Sequence, residues 1–317
     1  MLLRQLEYLT ALARERHFAR AAESCHVSQP ALSAAIRKLE AELDVPIVRR
    51  GARFEGFTPE GERVLRWAYR ILAERDGLTE ELGVLRAGLT GRLRIGAIPT
   101  ALTTVPLLTV PFAAEHPLVT VSVLSLPSAD IHRQLAEFEL DLGLTYLGGE
   151  PPPGLRASPL YRERYVLLTH AEGRFATAEA ASWAEAARLP LCLLTPDMHN
   201  RRVLDEIFRS VDAEPAATVE TNSVAALYAH VHDGRWAGVV PHAWLRVFGV
   251  PAGMRALPLV DPVASRPVGL VRPDRDPEPI LARALLEVAR RGGVQRELDR
   301  LLPGSAARGG EPRPGRP

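Results

Sequence analysis

Phe18-Ala19-Arg20-Ala21-Ala22-Glu23-Ser24-Cys25-His26-Val27-Ser28-Gln29-Pro30-Ala31-Leu32-Ser33-Ala34-Ala35-Ile36-Arg37-Lys38-Leu39-Glu40 has the pattern of two short helices joined by a turn. The alanines at 21 and 22 let the helices approach closely, His26 and Val27 form the turn, and Ser28 caps the second helix. Leu32, Ile36 and Leu39 make its buried stripe, which leaves Gln29, Ser33 and Arg37 on another face. That is the logic of a helix-turn-helix, whose second helix enters a DNA groove. On this reading Gln29 meets an adenine edge, a bidentate contact worth roughly 1 to 3 kcal/mol of base discrimination. Arg37 and Lys38 neutralise phosphates and set register. The competing reading is a helical bundle with a solvated charged face.

Outward from this stretch, Leu2, Leu6, Leu9, Leu12 and Ala13 predict a preceding helix, and Pro46 closes the helix that Ser28 opens. Residues 49–57 have two glycines between apolar ends, as a short hairpin would, and Arg49, Arg50 and Arg53 crowd it as they would a wing. Glu40, Glu42 and Asp44 lie toward the reading helix's far end. Residues 1–58 carry nine Lys+Arg and seven Asp+Glu, so distribution rather than net charge speaks for DNA.

Thr58-Pro59 then starts a long helix over 59–90, with Thr58 as its N-cap. Val64, Ala68, Ile71, Leu78, Leu82, Leu85 and Leu89 keep a heptad register in which Arg75 takes one position. Such a seam seeks a partner helix; packing within its own domain is the alternative. Beyond it, short apolar strands at 93–98, 119–124, 140–146, 165–169, 189–194 and 238–240 alternate with stretches long enough for crossover helices. That predicts parallel sheet in two small α/β lobes over 91–302, with a cleft between them. The end, 303–317, is rich in Pro, Gly and Arg and is expected to be disordered.

Composition excludes several classes. The 317 residues hold 39 Lys+Arg against 38 Asp+Glu, so net charge names no partner, and 46% hydrophobic residues suffice for real cores. No apolar run of membrane-spanning length occurs, and Arg4 and Glu7 interrupt any signal peptide, so a cytoplasmic protein without a membrane partner is expected. Cys25 and Cys192 form no CxxC pair or framework, and both read as small core hydrophobes. His230 and His232, two apart on a helix, point to different sides, so no metal site is expected. No nucleophile elbow, phosphate loop or dinucleotide fingerprint is present, so neither an enzyme nor a cofactor is expected. A transport-type solute-binding protein would need export.

Ala21-Ala22, Ser28-Gln29-Pro30-Ala31-Leu32-Ser33, Ile36, Leu39-Glu40, Leu43, Val45-Pro46, Arg50 and Thr58-Pro59-Glu60-Gly61 stand in the order and spacing of one family. In these motifs, and over nearly its whole length, the chain resembles the LysR-type transcriptional regulators. The resemblance implies an α/β protein with an N-terminal winged helix-turn-helix, a long dimerisation helix and a two-lobed effector domain similar to periplasmic binding proteins. It also implies a dimer of dimers on double-stranded promoter DNA and, for an activator, contact with RNA polymerase. The expected DNA-contacting residues are Ser28, Gln29, Pro30, Ser33, Arg37, Lys38, Arg50 and Arg53. Ala34 departs from the basic residue common in relatives, and Asp44 from a common glycine. Relatives that sense peroxide use two effector-domain cysteines, whereas this domain has one.

In such a domain a small ligand sits between the lobes, where helix N-termini and hydroxyls favour an anion such as a carboxylate. Thr100, Ser128 and Thr145 follow or end the first three strands, and Thr195, His199, Asn200 and Ser223 stand near helix starts of the opposite wall. These are the candidate effector contacts, although each is also an ordinary capping position. The expected function is an effector-responsive regulator of a neighbouring metabolic operon that binds an inverted repeat. The alternative is an architectural DNA-binding protein without an effector.

Overall fold

The computed structural model describes residues 1–49 and 54–303. Arg50 and Arg53 of the expected wing, the side chain of Leu85 and the tail from residue 304 lie outside the described residues. The chain divides into two compact units, one of residues 1–91 with Ala136–Glu139, the other of the remainder.

In the first unit, α1 (Leu3–Glu15), α2 (Phe18–Ser24) and α3 (Gln29–Leu43) enclose a core of Leu6, Leu9, Leu12, Ala21, Leu32, Ile36 and Leu39. Ala21 and Ala22 are buried at the helix contact, where longer side chains would hold α2 away. Ser28 caps α3 as expected, its Oγ accepting from the Ala31 N–H at 3.4 Å. Asp44 ends α3 in the left-handed region at φ 51°, a conformation that glycine adopts freely and Asp tolerates.

Two tight junctions join α3 to the wing and to the long helix. Glu40, which its position groups with the acidic far end of α3, is buried instead, and its Oε1 accepts from the N–H groups of Ile47 (2.8 Å) and Val48 (3.1 Å). A carboxylate there satisfies two amide donors that the short Val48–Phe57 bridge leaves over. Phe54 and Phe57 stack edge to face at 5.2 Å and pack on the same core. Thr58 caps α4 (Pro59–Ala87) by accepting from the Gly61 N–H at 2.9 Å. Gly61 lies so close to the preceding chain that a Cβ would fall 2.0 Å from the Ile47 carbonyl oxygen.

Along its first half, helix α4 packs within its own unit. Val64, Leu65, Ala68, Ile71 and Leu72 pack into the first unit's own core. Further along, Leu78 and Leu82 are exposed at 59% and 51%. Arg75, between the two regions, forms ion pairs with Glu7 and Asp76.

The second unit begins with β1 (Gly91–Ala97), α5 (Pro106–Glu115), β2 (Val119–Ser125), α6 (Ser128–Ala136) and β3 (Leu142–Tyr146). Then come β4 (Leu155–His170), β5 (Ala181–Ser182), α7 (Trp183–Ala186), β6 (Leu191–Leu194), α8 (His199–Ser210) and β7 (Ala217–Thr221). The remainder is α9 (Val224–His232), β8 (Gly238–Pro241), α10 (Leu245–Phe248), β9 (Met254–Val260), β10 (Ser265–Pro273), α11 (Ile280–Arg291) and α12 (Val294–Asp299).

The main sheet runs β2-β1-β3-β10-β4-β9-β5, with β8 on β4, and β6 pairs with β7 in a second sheet. Its centre corrects the expectation of a parallel sheet: β1 and β3 are parallel, but β10 runs antiparallel to both β3 and β4, and β8 and β9 run antiparallel to β4. The reason is β4, a strand of 16 residues that serves two lobes. Residues 155–164 pair with β10, while 165–170 pair with β8 and β9. The strand expected at 165–169 is only its second half. In the second lobe β6 is buried on both faces, Leu191 and Leu193 toward Trp183 and Phe208, Cys192 and Leu194 toward Val231 and Trp244.

Replacing Gly61 with Ala tests the junction between wing and long helix. Ala is the better helix former, yet Gly61→Ala is expected to destabilise the first unit by about 1 to 3 kcal/mol, because the Ile47 backbone must move. Urea unfolding followed by far-UV circular dichroism measures it; an unchanged or raised midpoint refutes the close-approach argument.

Candidate functional site

Two sites take shape, one in each unit. On α3, Gln29, Pro30 and Arg37 are exposed, Ser33 is half-buried, and the opposite stripe of Leu32, Ile36 and Leu39 is buried. Gln29, Ser33 and Arg37 fall at i, i+4 and i+8 and so line one face. Ser28, exposed at the helix start, and Lys38 flank it. Arg37 and Lys38 form no ion pair with a described residue, so both charges are available to phosphates. Arg49 is exposed next to the Val48–Phe57 bridge. Ala34, next to Ser33, is exposed and presents only a methyl group.

The second site is a buried polar network where the two lobes meet. Tyr146 ends β3, and its hydroxyl donates to Glu163 Oε1 at 2.7 Å. The same oxygen accepts from Asn200 Nδ2 at 3.3 Å and lies 3.2 Å from Thr100 Oγ1. Because the phenol proton goes to the carboxylate, Thr100 is the donor in that last contact. Thr100 sits in a single turn after β1, and Asn200 is the second residue of α8, so one hydroxyl ties together first lobe, second lobe and β4. The His199 ring stacks on Tyr146 at 4.8 Å. Thr145 donates to Ser128 Oγ at 2.9 Å, and Trp244 Nε1 donates to the Thr100 carbonyl at 3.0 Å. Thr195 Oγ1 is buried without a hydrogen-bond partner among the described residues.

Of the seven sequence-derived effector candidates, Thr100, His199 and Asn200 meet at Tyr146. Thr145, next to Tyr146 in the chain, pairs with Ser128, and Thr195 makes no side-chain hydrogen bond to the network among the described residues. Ser223 is exposed and caps α9 by accepting from the Ala226 N–H at 3.3 Å. At the network's centre, Tyr146 is visible in the sequence with Thr145 as the hydroxyl-bearing end of the third strand, but Glu163 was missed, because Pro159, Arg162 and Arg164 make its surroundings read as loop. The usable signal is the alternation Tyr161, Glu163, Tyr165, Leu167, all buried, against Arg162 and Arg164.

Glu163 is fully buried, and its Oε2 has no hydrogen-bond partner among the described residues. The hydroxyls of Tyr161 and Tyr165 are likewise buried and unpartnered. Arg266 faces Glu163 in the β10–β4 register but extends to Glu206 on α8 at 3.3 Å. Burial raises the Glu163 carboxyl to about 7 and holds the phenols of Tyr146, Tyr161 and Tyr165 well above their ordinary range. Cys192 is buried too, which pushes its thiol up to about 11.

Comparison with known proteins assigns this architecture. The description "Bacterial regulatory helix-turn-helix protein, lysR family" matches residues 3–62, and "LysR substrate binding domain" matches residues 86–293. This chain belongs to the LysR family. It is 30% identical to the hydrogen peroxide-inducible genes activator of Haemophilus influenzae over 86% of this chain and 90% of that protein. To the transcriptional dual regulator OxyR of Escherichia coli it is 31% identical over 86% of this chain and 89% of that one. A full-length OxyR from Pseudomonas aeruginosa superposes with TM-score 0.74 at 28% identity, covering 93% and 97% of the two chains. The chain is thus a LysR-type DNA-binding transcriptional regulator with an effector-binding domain, in a family of regulators rather than enzymes. Its partners are promoter DNA and a small-molecule effector. Among the described residues no helix is long and apolar enough to cross a membrane.

The raised Glu163 value fixes a sign for the pH dependence of stability. A carboxyl whose folded value lies above its unfolded one stabilises fully below about 4.5 and loses that contribution as pH rises through about 7. The loss approaches about 3 kcal/mol at most, at 1.36 kcal/mol per pH unit. Glu163→Gln is therefore expected to melt above the wild type at alkaline pH and to flatten the decline across this window. Parallel melting curves for the two proteins from acid to alkaline pH would rule the account out.

Proposed function

We propose that this LysR regulator binds an imperfect inverted repeat upstream of a neighbouring metabolic operon and answers to a small anionic effector held between its lobes. The observation that carries the effector reading is the Tyr146 hydroxyl, shared by Thr100 of one lobe and Asn200 of the other. A ligand that competes for those donors changes the lobe arrangement, and so shifts the population that the DNA-binding unit experiences. Residues 1–58 read DNA, 59–90 dimerise and 91–302 bind the effector. Exposed Leu78 and Leu82 on α4 supply the apolar dimer seam, and a cytoplasmic dimer of dimers matches the symmetry of the site.

The trigger differs from that of the peroxide-inducible relatives. Forming an intramolecular disulfide takes two thiols, and the effector-binding region of this sequence holds Cys192 alone, buried and protonated at neutral pH. Non-covalent occupancy of the cleft is the signal instead.

Footprinting on the DNA upstream of its own gene, with excess random competitor, tests the DNA half. Gln29→Ala is expected to relax base preference at one position of each half-site, at a cost of about 1 to 3 kcal/mol. Arg37→Ala should weaken specific and random DNA alike and reduce the salt slope by about one. Equal effects of both variants on specific and random DNA would refute the reading-helix assignment. In the cleft, Thr100→Val combined with Ser128→Ala is expected to remove the effector-dependent change in the footprint, and a surviving response would refute the site. Hydrogen peroxide should leave the footprint of the wild type unchanged; a peroxide-dependent shift would refute the non-covalent trigger.

A further inference from the structure

The cleft just assigned to an anion also contains a buried acidic group that no described residue balances. Glu163 has no exposed surface, one of its oxygens accepts from Tyr146, and the other has no partner among the described residues. Its neighbours on the same face of β4, Tyr161 and Tyr165, end in hydroxyls that are also buried and unpartnered. The nearest cation in register, Arg266, is committed to Glu206. A buried carboxylate without a cation is costly when ionised. In the ligand-free protein the group therefore stays largely protonated up to neutrality.

Resting on the cleft reading, we propose that the effector is a small aminocarboxylate. Its anionic end lies toward Thr100, Ser128 and the start of α8, and its protonated amine occupies the free oxygen of Glu163 beside the Tyr161 and Tyr165 hydroxyls. An ammonium has three N–H donors and no acceptor, and the unpartnered groups here are one carboxylate oxygen and two phenols, all able to accept. A simple carboxylate fits this pole badly, since it would meet either a like charge or a carboxyl forced to keep its proton. A metal ion fits no better, because among the described residues no three metal-ligating side chains converge.

The arrangement also links binding to lobe movement. The free oxygen is buried, so an amine reaches it only as the side chains packed over it move apart. The contacts of Tyr146 with Thr100 and Asn200 span the lobes beside that oxygen and are the ones such a movement strains.

Binding of an ammonium requires the ionised carboxylate, so affinity rises with pH across the range in which Glu163 titrates. The groups that face Glu163 are Tyr146 from β3, Tyr161 and Tyr165 from β4, Arg266 from β10 and, beyond Tyr146, His199 and Asn200 from α8. Burial holds the three phenols well above their ordinary range, so they keep their protons. Burial holds His199 below its ordinary value, with Arg202 and Arg266 lowering it and Glu206 raising it.

Calorimetric titration and thermal melting of the full chain decide the matter. The probes are glycine, β-alanine, γ-aminobutyrate and lysine, each beside its deaminated carboxylate and its decarboxylated amine. At least one aminocarboxylate is expected to bind about tenfold more tightly than its matched carboxylate, and about tenfold more tightly near pH 8 than near pH 6. Glu163→Gln is expected to abolish both differences. Should that variant fail to fold, the pH dependence and the amine preference of the wild type decide alone. Equal binding of amine-bearing and amine-free probes, lost in the Thr100→Val, Ser128→Ala protein, would overturn the aminocarboxylate and leave the cleft standing. Binding that survives in that protein would overturn both. Absence of any response to the amine-bearing probes would overturn the inference as well.

Discussion

The effector domain is organised around one phenol hydroxyl and the carboxylate it serves. Tyr146 gives its proton to Glu163 and accepts from Asn200 and Thr100, so three chain segments distant in sequence meet at a single oxygen. A carboxylate buried without a cation constrains everything around it, because each change in its ionisation alters the charge at the one place where both lobes and their connecting strand converge. Glu163 lies close to the point of β4 where the strand's partners change from β10 to β8 and β9. The buried carboxyl and the junction between the two halves of the strand are therefore built from the same few side chains.

The DNA-binding unit uses buried polar groups for the opposite purpose, to make a junction rigid. Glu40 accepts two backbone N–H groups at the start of the wing, and Thr58 caps the long helix while Gly61 packs its first turn against Ile47. The Glu40 carboxylate is satisfied by local amides, whereas Glu163 keeps an oxygen in reserve. Satisfied groups of this kind fix the angle between reading helix, wing and long helix, and the exposed Gln29 face depends on that angle to enter a groove in register.

Much of this was legible in the sequence, and the remainder was hidden for physical reasons. The helix-turn-helix reads well because its signals are local: a capping serine, two alanines at a helix contact and a stripe at 32, 36 and 39. The hydroxyls of Thr100 and Ser128 could be singled out because strand ends deliver residues to a predictable rim; the structure bonds them to Tyr146 and Thr145. Glu163 was missed because arginines on the solvent face of β4 masked a period-2 pattern, and because burial of a charge depends on strands 100 residues away in the chain, such as β10. The short strands β5, β7, β9 and β10 were missed as well. Their composition, as in Ser265-Arg266-Pro267-Val268-Gly269, gives little β propensity, and pairing with β4 and its neighbours supplies what propensity does not. The antiparallel course of β10 reflects the chain's return to the first lobe, a feature that no local pattern encodes.

Likeness to peroxide-inducible regulators settles architecture without settling the trigger. At about 30% identity the overall fold is retained, since it depends on many side chains and tolerates substitution. A signal depends on a few atoms with the right reactivity. A thiol switch needs an accessible, acidic thiol and a partner, and Cys192 is neither accessible nor acidic and has no second cysteine in its domain. The chemistry that remains at the lobe junction is acid–base and hydrogen-bonding chemistry: a carboxyl that titrates near neutrality, phenols that do not, and amide and hydroxyl donors from both sides. Those groups meet at Tyr146, and a fold that tolerates substitution over most of its length leaves the chemistry of this junction to the few side chains around that hydroxyl.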